Sequence, residues 1–298
     1  MITIQLILLL VFFVYACVCA PRLKLNVGQV EGQFLNSGVA AFLGIPYAKA
    51  PIGKLRWRTP SRPSSWSGVK KATQFSPACR QSDAAPSIPG FNFTIPYQSE
   101  DCLYMNIFLP PNTTSTSNLP IMVWVYGGSF IMGSASQYQY NPEKLCTSQN
   151  VIVVTFNYRL GPFGFLGHSA FVAESPRLNY GLLDQQMALK FVNDNAAAIG
   201  GSRDDITLFG ESAGAISVCM HLLMPGSYGL FQRALIESGA CLQINLYENV
   251  DAAEQKGDRM SDALNCPSGA SSAAADCLRS RTADQVLTAL PLYNASTL

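Results

Sequence analysis

Short apolar runs and helix-like patterns alternate through the middle of the chain. Residues 121–126 and 151–156 are nearly continuous apolar runs, which is typical of strands buried on both faces of a parallel sheet. Between residues 180 and 192 the apolar positions are separated by polar ones at helical spacing. Strands that alternate with helices predict an α/β domain built on a largely parallel sheet.

The same alternation continues further along the chain. A short strand is predicted over residues 206–209, a helix over 213–223 and another short strand over 234–236. The pattern shows no internal repeat and no boundary to a second domain. We therefore expect one domain, in which each strand end is followed by a loop that can carry chemistry.

The first twenty residues form a separate segment. They contain no charged side chain, and an apolar run over residues 6–14 is followed by Ala16, Val18 and Ala20. This arrangement is typical of a secretory signal peptide, so we expect residues 1–20 to be removed and residues 21–298 to form the folded domain. The run is shorter than the about 20 apolar residues of a membrane span. An uncleaved signal anchor and a buried first helix are the alternatives.

Composition narrows the class of partner. Apolar residues make up 48% of the chain, which excludes a disordered protein. Only 13% of the residues are charged, and 20 basic residues balance 19 acidic ones to a net charge of +1. A balanced chain has no general attraction for nucleic acid. The chain has no cysteine and histidine spacing typical of a zinc site, so we predict no metal and no cofactor.

Cysteines and glycosylation sequons indicate an oxidising route. Beyond residue 20 the chain holds seven cysteines, and an odd number leaves at least one thiol free or paired with another chain. Sequons begin at Asn92, Asn112 and Asn294. Together with the leader, these features predict a secreted glycoprotein with disulfide bonds.

The candidate nucleophile is Ser212. Residues 210–214 read GESAG and fit the G-x-S-x-G pattern, placed between the predicted strand 206–209 and the predicted helix 213–223. Small neighbours allow the backbone to turn sharply around the serine, and a helix N-terminus favours developing negative charge there. The alternative is a glycine-rich turn that carries an exposed serine.

A second glycine-rich loop supplies candidate oxyanion donors. Residues 126–130 read YGGSF and follow the predicted strand 121–125. Acyl transfer to a serine needs N–H groups aimed at the developing oxyanion. We predict that the N–H groups of Gly128, Ser129 and Ala213 form this hole. An ordinary glycine turn is the alternative for this loop taken alone.

Together these motifs resemble the type-B carboxylesterase and cholinesterase family of α/β-hydrolases. Most of the chain after the leader takes part, including FLGIPYA at 42–48, EDCLYMN at 100–106, NYRLGPFGFL at 157–166 and FGESAG at 209–214. The resemblance implies an α/β-hydrolase fold with a central, mostly parallel sheet flanked by helices. It also implies hydrolysis of small-molecule or lipid esters through an acyl-enzyme on Ser212.

The resemblance further implies specific pairings between side chains. It implies the disulfides Cys79–Cys102 and Cys266–Cys277 and the ion pairs Arg56–Glu100 and Arg159–Asp184. The chain also departs from the family at two positions. Ser129 stands where many members have Gly or Ala, and Asn92 stands where cholinesterases have a tryptophan. A quaternary ammonium binds an aromatic face, so the second departure argues against a choline substrate.

No histidine in the sequence is placed to act as the general base. The triad order in this fold is Ser, then Asp or Glu, then His. The only histidine after Ser212 is His221, nine residues along the same predicted helix, a rise of about 13 Å. His168 precedes the serine. We therefore expect this chain to be the N-terminal part of a longer hydrolase that lacks the triad acid and histidine.

Two other functions compete with the esterase hypothesis. A non-catalytic adhesion or binding module of the same fold would account for the missing histidine, whereas the intact sequence around Ser212 favours the enzyme. A lipase would differ only in its substrate, with the segment between Cys79 and Cys102 as its lid. The sequence gives no oligomeric state.

Overall fold

The computed structural model describes residues 19–82, 95, 97–176, 178–242 and 248–289. Nearly all of the predicted leader, and the sequons at Asn92 and Asn294, lie outside these residues. No helix in the described ranges combines the length and apolar character needed to cross a membrane.

The strands are, in chain order, β1 Arg22–Leu25, β2 Gly28–Glu31, β3 Gln33–Phe34, β4 Ala40–Pro46, β5 Val69–Lys71, β6 Ala78–Cys79, β7 Gln98–Ser99, β8 Tyr104–Leu109, β9 Leu119–Val125, β10 Ile152–Phe156, β11 Gly201–Glu211 and β12 Arg233–Glu237. The helices are α1 Glu143–Gln149, α2 Gly161–Phe165, α3 Tyr180–Asn195, α4 Ala213–Leu223, α5 Val250–Ala263, α6 Ser272–Ser280 and α7 Ala283–Ala289. The predicted helix 213–223 is confirmed at both ends, and the predicted strands lie within or beside observed ones.

A seven-stranded sheet with the order β12-β11-β9-β10-β8-β4-β3 forms the centre of the fold. Strands β10, β9, β11 and β12 pair in parallel. Strands β8, β4 and β3 continue the sheet with antiparallel pairing. The predicted α/β class is therefore confirmed, but the sheet is mixed, because the N-terminal strands follow each other without crossover helices.

Both faces of the central strands are buried, as their apolar sequences predict. Ile152 and Val154 of β10 belong to the main core together with apolar residues of α3 and α4. Val153, between them, packs in a separate cluster with Cys146 of α1. Alternate side chains of one strand thus enter two different layers, which requires apolar residues at every position.

Three disulfides join described cysteines. The structure links Cys79 to Cys102 and Cys266 to Cys277, the pairs that the resemblance implied. It also links Cys219 of α4 to Cys241, a pair that the sequence did not suggest. Among the described residues beyond the leader, Cys146 is the free thiol and is buried.

The ion pair between Arg159 and Asp184 is enclosed in the core. Asp184 is fully buried, and its carboxylate accepts bonds of 2.7 Å from both Nε and Nη2 of Arg159. The Arg159 backbone N–H donates to the same carboxylate at 3.1 Å. The second expected pair, Arg56 with Glu100, is also present. Bidentate pairing of this kind offsets the desolvation free energy of a buried charge.

His221 belongs to a buried polar network that joins α4 to α3. Its Nδ1 lies 2.9 Å from Ser227 Oγ, and its Nε2 lies 3.0 Å from Gln185 Oε1. Burial lowers the pKa of His221 to about 4. The imidazole is therefore neutral at pH 7 and has a structural role.

Removing the charge of Asp184 should strongly destabilise the protein. We expect Asp184→Asn to lower the free energy of unfolding by about 3–5 kcal/mol, because Arg159 is left charged and buried without its counter-ion. Urea unfolding measures the change. Glu31→Gln, in the solvent-exposed pair with Arg22, is the control and should cost less than about 1 kcal/mol. Equal effects of the two substitutions would contradict this account of the core.

Acid should destabilise the fold through His221. Its folded pKa of about 4 lies below the unfolded value of about 6.5, so the unfolded chain binds more protons between these values. The stabilising contribution is complete above pH 6.5 and is lost as the pH falls toward 4, by about 3 kcal/mol. Urea unfolding as a function of pH should show a shallower loss in His221→Gln. Identical profiles for both proteins would refute this role. Part of the pH dependence of stability should remain in His221→Gln, because burial also lowers the pKa of His168.

Candidate active site

Ser212 occupies a strained turn between β11 and α4. Its backbone angles are φ 56° and ψ −121°, and such a conformation costs a non-glycine residue about 1–3 kcal/mol. Neighbouring backbone fixes the turn: Ser212 N–H donates to Glu237 O of β12 at 2.9 Å, and Ser212 O accepts from Ile216 N–H at 3.0 Å. Strain held in this way presents a side chain at a defined position.

The glycines around Ser212 are required by close backbone contact. A Cβ atom on Gly214 would lie 2.0 Å from the carbonyl oxygen of Val125, and one on Gly210 would lie 2.7 Å from the same oxygen. A Cβ atom on Gly127 would lie 3.0 Å from Cβ of Ser212. The end of β9 and the turn after β11 therefore meet without room for any side chain between them.

The loop after β9 has an unusual backbone. Three consecutive residues have positive φ angles, namely Gly128 at 113°, Ser129 at 55° and Phe130 at 62°. The Gly128 carbonyl accepts from the N–H groups of Ile131 at 3.0 Å and Met132 at 3.1 Å, so the loop curls back on itself. This is the glycine-rich loop that the sequence predicted beside the serine.

The predicted oxyanion donors lie around this contact. Across the described part of the chain, the N–H groups of Gly128, Ser129 and Ala213 donate to no protein acceptor. Ala213 is the first residue of α4, where backbone N–H groups have no partner within the helix and carry its positive dipole end. The arrangement can chemically stabilise negative charge on an oxygen atom next to Ser212.

A carboxylate borders the site. Oε2 of Glu211 lies 2.8 Å from the position that a Cβ atom would take on Gly127. Partial burial, followed by the negative charge of Glu237, raises the pKa of Glu211. Negative potential beside Ser212 disfavours an anionic group on a molecule bound there.

Neither histidine contacts Ser212. Nε2 of His168 lies 2.8 Å from Ser261 Oγ, and its Nδ1 accepts from Ala170 N–H at 3.0 Å. His221 is occupied by its bonds to α3 and to Ser227. In the residues that the structure describes, Ser212 Oγ makes no hydrogen bond, and no cluster of His, Cys, Asp and Glu is suited to hold a metal ion.

Two buried amides beside the glycine loop were not predicted from the sequence. The side chains of Gln81 and Asn157 bond to the backbone of residues 133 and 135, respectively. Asn157 opens the family-like segment 157–166, which is a signal that could have drawn attention to it. Gln81 follows Cys79 by two residues, and no local pattern marks it.

Comparison with known proteins places these features in a family. Residues 20–296 match the sequence model of the Carboxylesterase family. The para-nitrobenzyl esterase of Bacillus subtilis (strain 168) is 49% identical over 214 residues, which cover 72% of this chain and 42% of that protein. The acetylcholinesterase of Electrophorus electricus is 40% identical over 288 residues, which cover 92% of this chain and 45% of that protein.

Solved structures agree with the sequence comparison. A structure of PNB esterase superposes with a TM-score of 0.80 at 40% sequence identity, covering 91% of this chain and 53% of the other. The chain thus spans about half the length of the relatives that it matches. With the family pattern extending over almost the whole sequence, and the serine turn and glycine loop in place, this chain belongs to the carboxylesterase family.

Proposed function

We propose that this chain carries the nucleophile and oxyanion hole of a serine carboxylic ester hydrolase. The observation that supports it is the strained Ser212 beside the glycine loop. Among the described residues, the N–H groups of Gly128, Ser129 and Ala213 have no protein partner. In the proposed reaction, Ser212 Oγ attacks the ester carbonyl carbon, and the three N–H groups stabilise the resulting oxyanion. The alcohol then leaves, and water releases the acid from the acyl-enzyme.

The proposed reaction needs a base for the Ser212 proton. Because His168 and His221 are both engaged elsewhere, we infer that the base and its acidic partner lie beyond Leu298 in a longer form of the protein. The half-length match to the relatives supports this inference. The 298-residue chain alone would then hold a nucleophile that is positioned but not activated.

The expected substrates are small-molecule or lipid esters without a negative charge near the scissile bond. The carboxylate of Glu211 beside the site supports this preference, because it repels an anionic acyl group. No cofactor enters the proposed reaction, since the serine and the backbone donors perform the acyl transfer.

We also propose that the protein follows the secretory route. Three disulfides support an oxidising compartment. Asn112 is exposed in the turn after β8, with a φ angle of 63° that suits asparagine. The Asn112 sequon is thus open to carry a glycan.

Covalent labelling tests the proposed nucleophile. We expect a fluorophosphonate probe to label a C-terminally extended form that has the length of the relatives, and Ser212→Ala to abolish this labelling. Ser129→Ala is the matched control and should label normally, because it keeps the backbone N–H. An unlabelled extended form would contradict the esterase proposal and favour a non-catalytic module.

The 298-residue chain should react about 10²–10⁴-fold more slowly than the extended form, because a general base contributes that factor. Pseudo-first-order labelling rates of the two forms measure the difference. Rapid ester turnover by the 298-residue chain would show that the base lies within it.

Expression through a secretory pathway tests whether Asn112 is glycosylated. We expect protein expressed through a secretory pathway to carry a glycan that peptide N-glycosidase removes from the peptide containing Asn112. Thr114→Ala should abolish this modification, whereas Thr114→Ser keeps the sequon and should retain it. Peptide mass spectrometry detects the glycan. An unmodified Asn112 in secreted protein would disprove glycosylation at this sequon.

A further inference from the structure

The glycine loop after β9 needs an external support. Each of the residues Ser129 and Phe130 has a positive φ angle, and such backbone persists in a non-glycine residue only where the surroundings enforce it. Contacts within the loop, to the Gly128 carbonyl, close one turn but do not fix its position on the sheet. External support comes from the backbone N–H of Gly161, which donates to the carbonyl of Phe130 at 2.7 Å, and from side chains outside the loop.

The side chain of Gln81 provides such a contact. It is 2% exposed, and its Oε1 accepts from the N–H of Gly133 at 2.8 Å. Its Nε2 donates to the carbonyl of Gly133 at 2.9 Å and to the carbonyl of Cys79 at 2.9 Å. One amide group therefore satisfies both backbone groups of Gly133, which only a side chain with a donor and an acceptor can do.

Gly133 is the point where the loop closes on its own start. A Cβ atom there would lie 2.6 Å from the ring of Tyr126 and 2.8 Å from the carbonyl oxygen of Gly127. Fixing Gly133 therefore also fixes the residues that precede Gly128. The two ends of the loop, at residues 127 and 133, thus pack against each other at the residue that Gln81 binds.

The backbone on which Gln81 lies has its own contacts outside the loop. Its backbone N–H donates to Gln98 Oε1 at 2.9 Å. Two residues before it, Cys79 is in strand β6 and is joined by a disulfide to Cys102, which precedes β8. The amide is thus anchored to the sheet independently of the loop that it binds.

We propose that Gln81 is a positioning residue that holds the glycine loop in the conformation presenting the N–H groups of Gly128 and Ser129. The inference rests on the proposed role of this loop as an oxyanion hole. The amide does not touch the reacting atoms, so its effect would pass through Gly133. A side chain that only filled the core would leave the loop unchanged when replaced by an apolar residue of similar size.

Hydrogen exchange of the loop in the 298-residue protein tests the positioning without any need for activity. In Gln81→Leu we expect backbone amides of residues 127–135 to exchange about tenfold faster or more, since the buried N–H and carbonyl of Gly133 lose their partner. Asn195→Leu is the matched control, because Asn195 is also a buried amide that bonds to backbone, to Phe191 O and Asn26 N–H. Unchanged exchange in the loop of Gln81→Leu would overturn the proposal.

Kinetics of the C-terminally extended form test the consequence. We expect Gln81→Leu to lower kcat for ester hydrolysis about 10²-fold, comparable to losing an oxyanion donor, with KM changed less than about threefold. Gln81→Glu keeps the acceptor for Gly133 N–H, so its kcat should fall between those of Gln81→Leu and wild type. The kcat of Asn195→Leu should match wild type.

A Gln81→Leu variant with wild-type kcat would refute the effect of Gln81 on catalysis. An inactive wild type would instead count against Ser212 as the nucleophile, and the exchange experiment would still decide the role of Gln81.

Discussion

Direct backbone contact between the end of β9 and the turn after β11 is the constraint on which the candidate site depends. At Gly210 and Gly214 a single methyl group would overlap the carbonyl of Val125. The two strand ends can therefore meet only where glycine removes every side chain between them. This contact brings Ser212 to the glycine loop, so the parallel pairing of β9 and β11 places both the candidate nucleophile and the candidate donors.

Buried polar groups lie in the core and beside the glycine loop, and each has hydrogen-bond partners. Arg159 and Asp184 satisfy each other inside the core, and Gln81 satisfies the backbone of Gly133. Each such group is costly unless its partners are in place, so each one allows only a narrow range of backbone positions. The strained φ angle of the serine turn is held by backbone bonds to Glu237 and Ile216, and the glycine loop is bound at Gly133 by Gln81.

Both histidines form hydrogen bonds in the core rather than with Ser212. A histidine acts as a base only if a ring nitrogen is free to accept a proton near the nucleophile. His221 and His168 are both buried, and their ring nitrogens are occupied by partners in the core. Burial lowers the pKa values of both histidines, and these shifts affect the stability of the fold. The described residues thus place the candidate nucleophile beside the candidate oxyanion donors, and neither histidine lies in contact with Ser212.

Much of this arrangement could be predicted from local sequence. The apolar run at 151–156, the helix at 213–223 and the motif around Ser212 depend on the nearest neighbours along the chain, which periodicity and small residues reveal directly. The mixed sheet, the Cys219–Cys241 disulfide and the contact of Gln81 with Gly133 could not be found in this way, because their partners are separated in sequence. The sequence by itself determined the class of fold and the identity of the candidate nucleophile. Tertiary structure alone decided which distant groups meet, since burial forces each polar group to find a partner wherever the fold provides one.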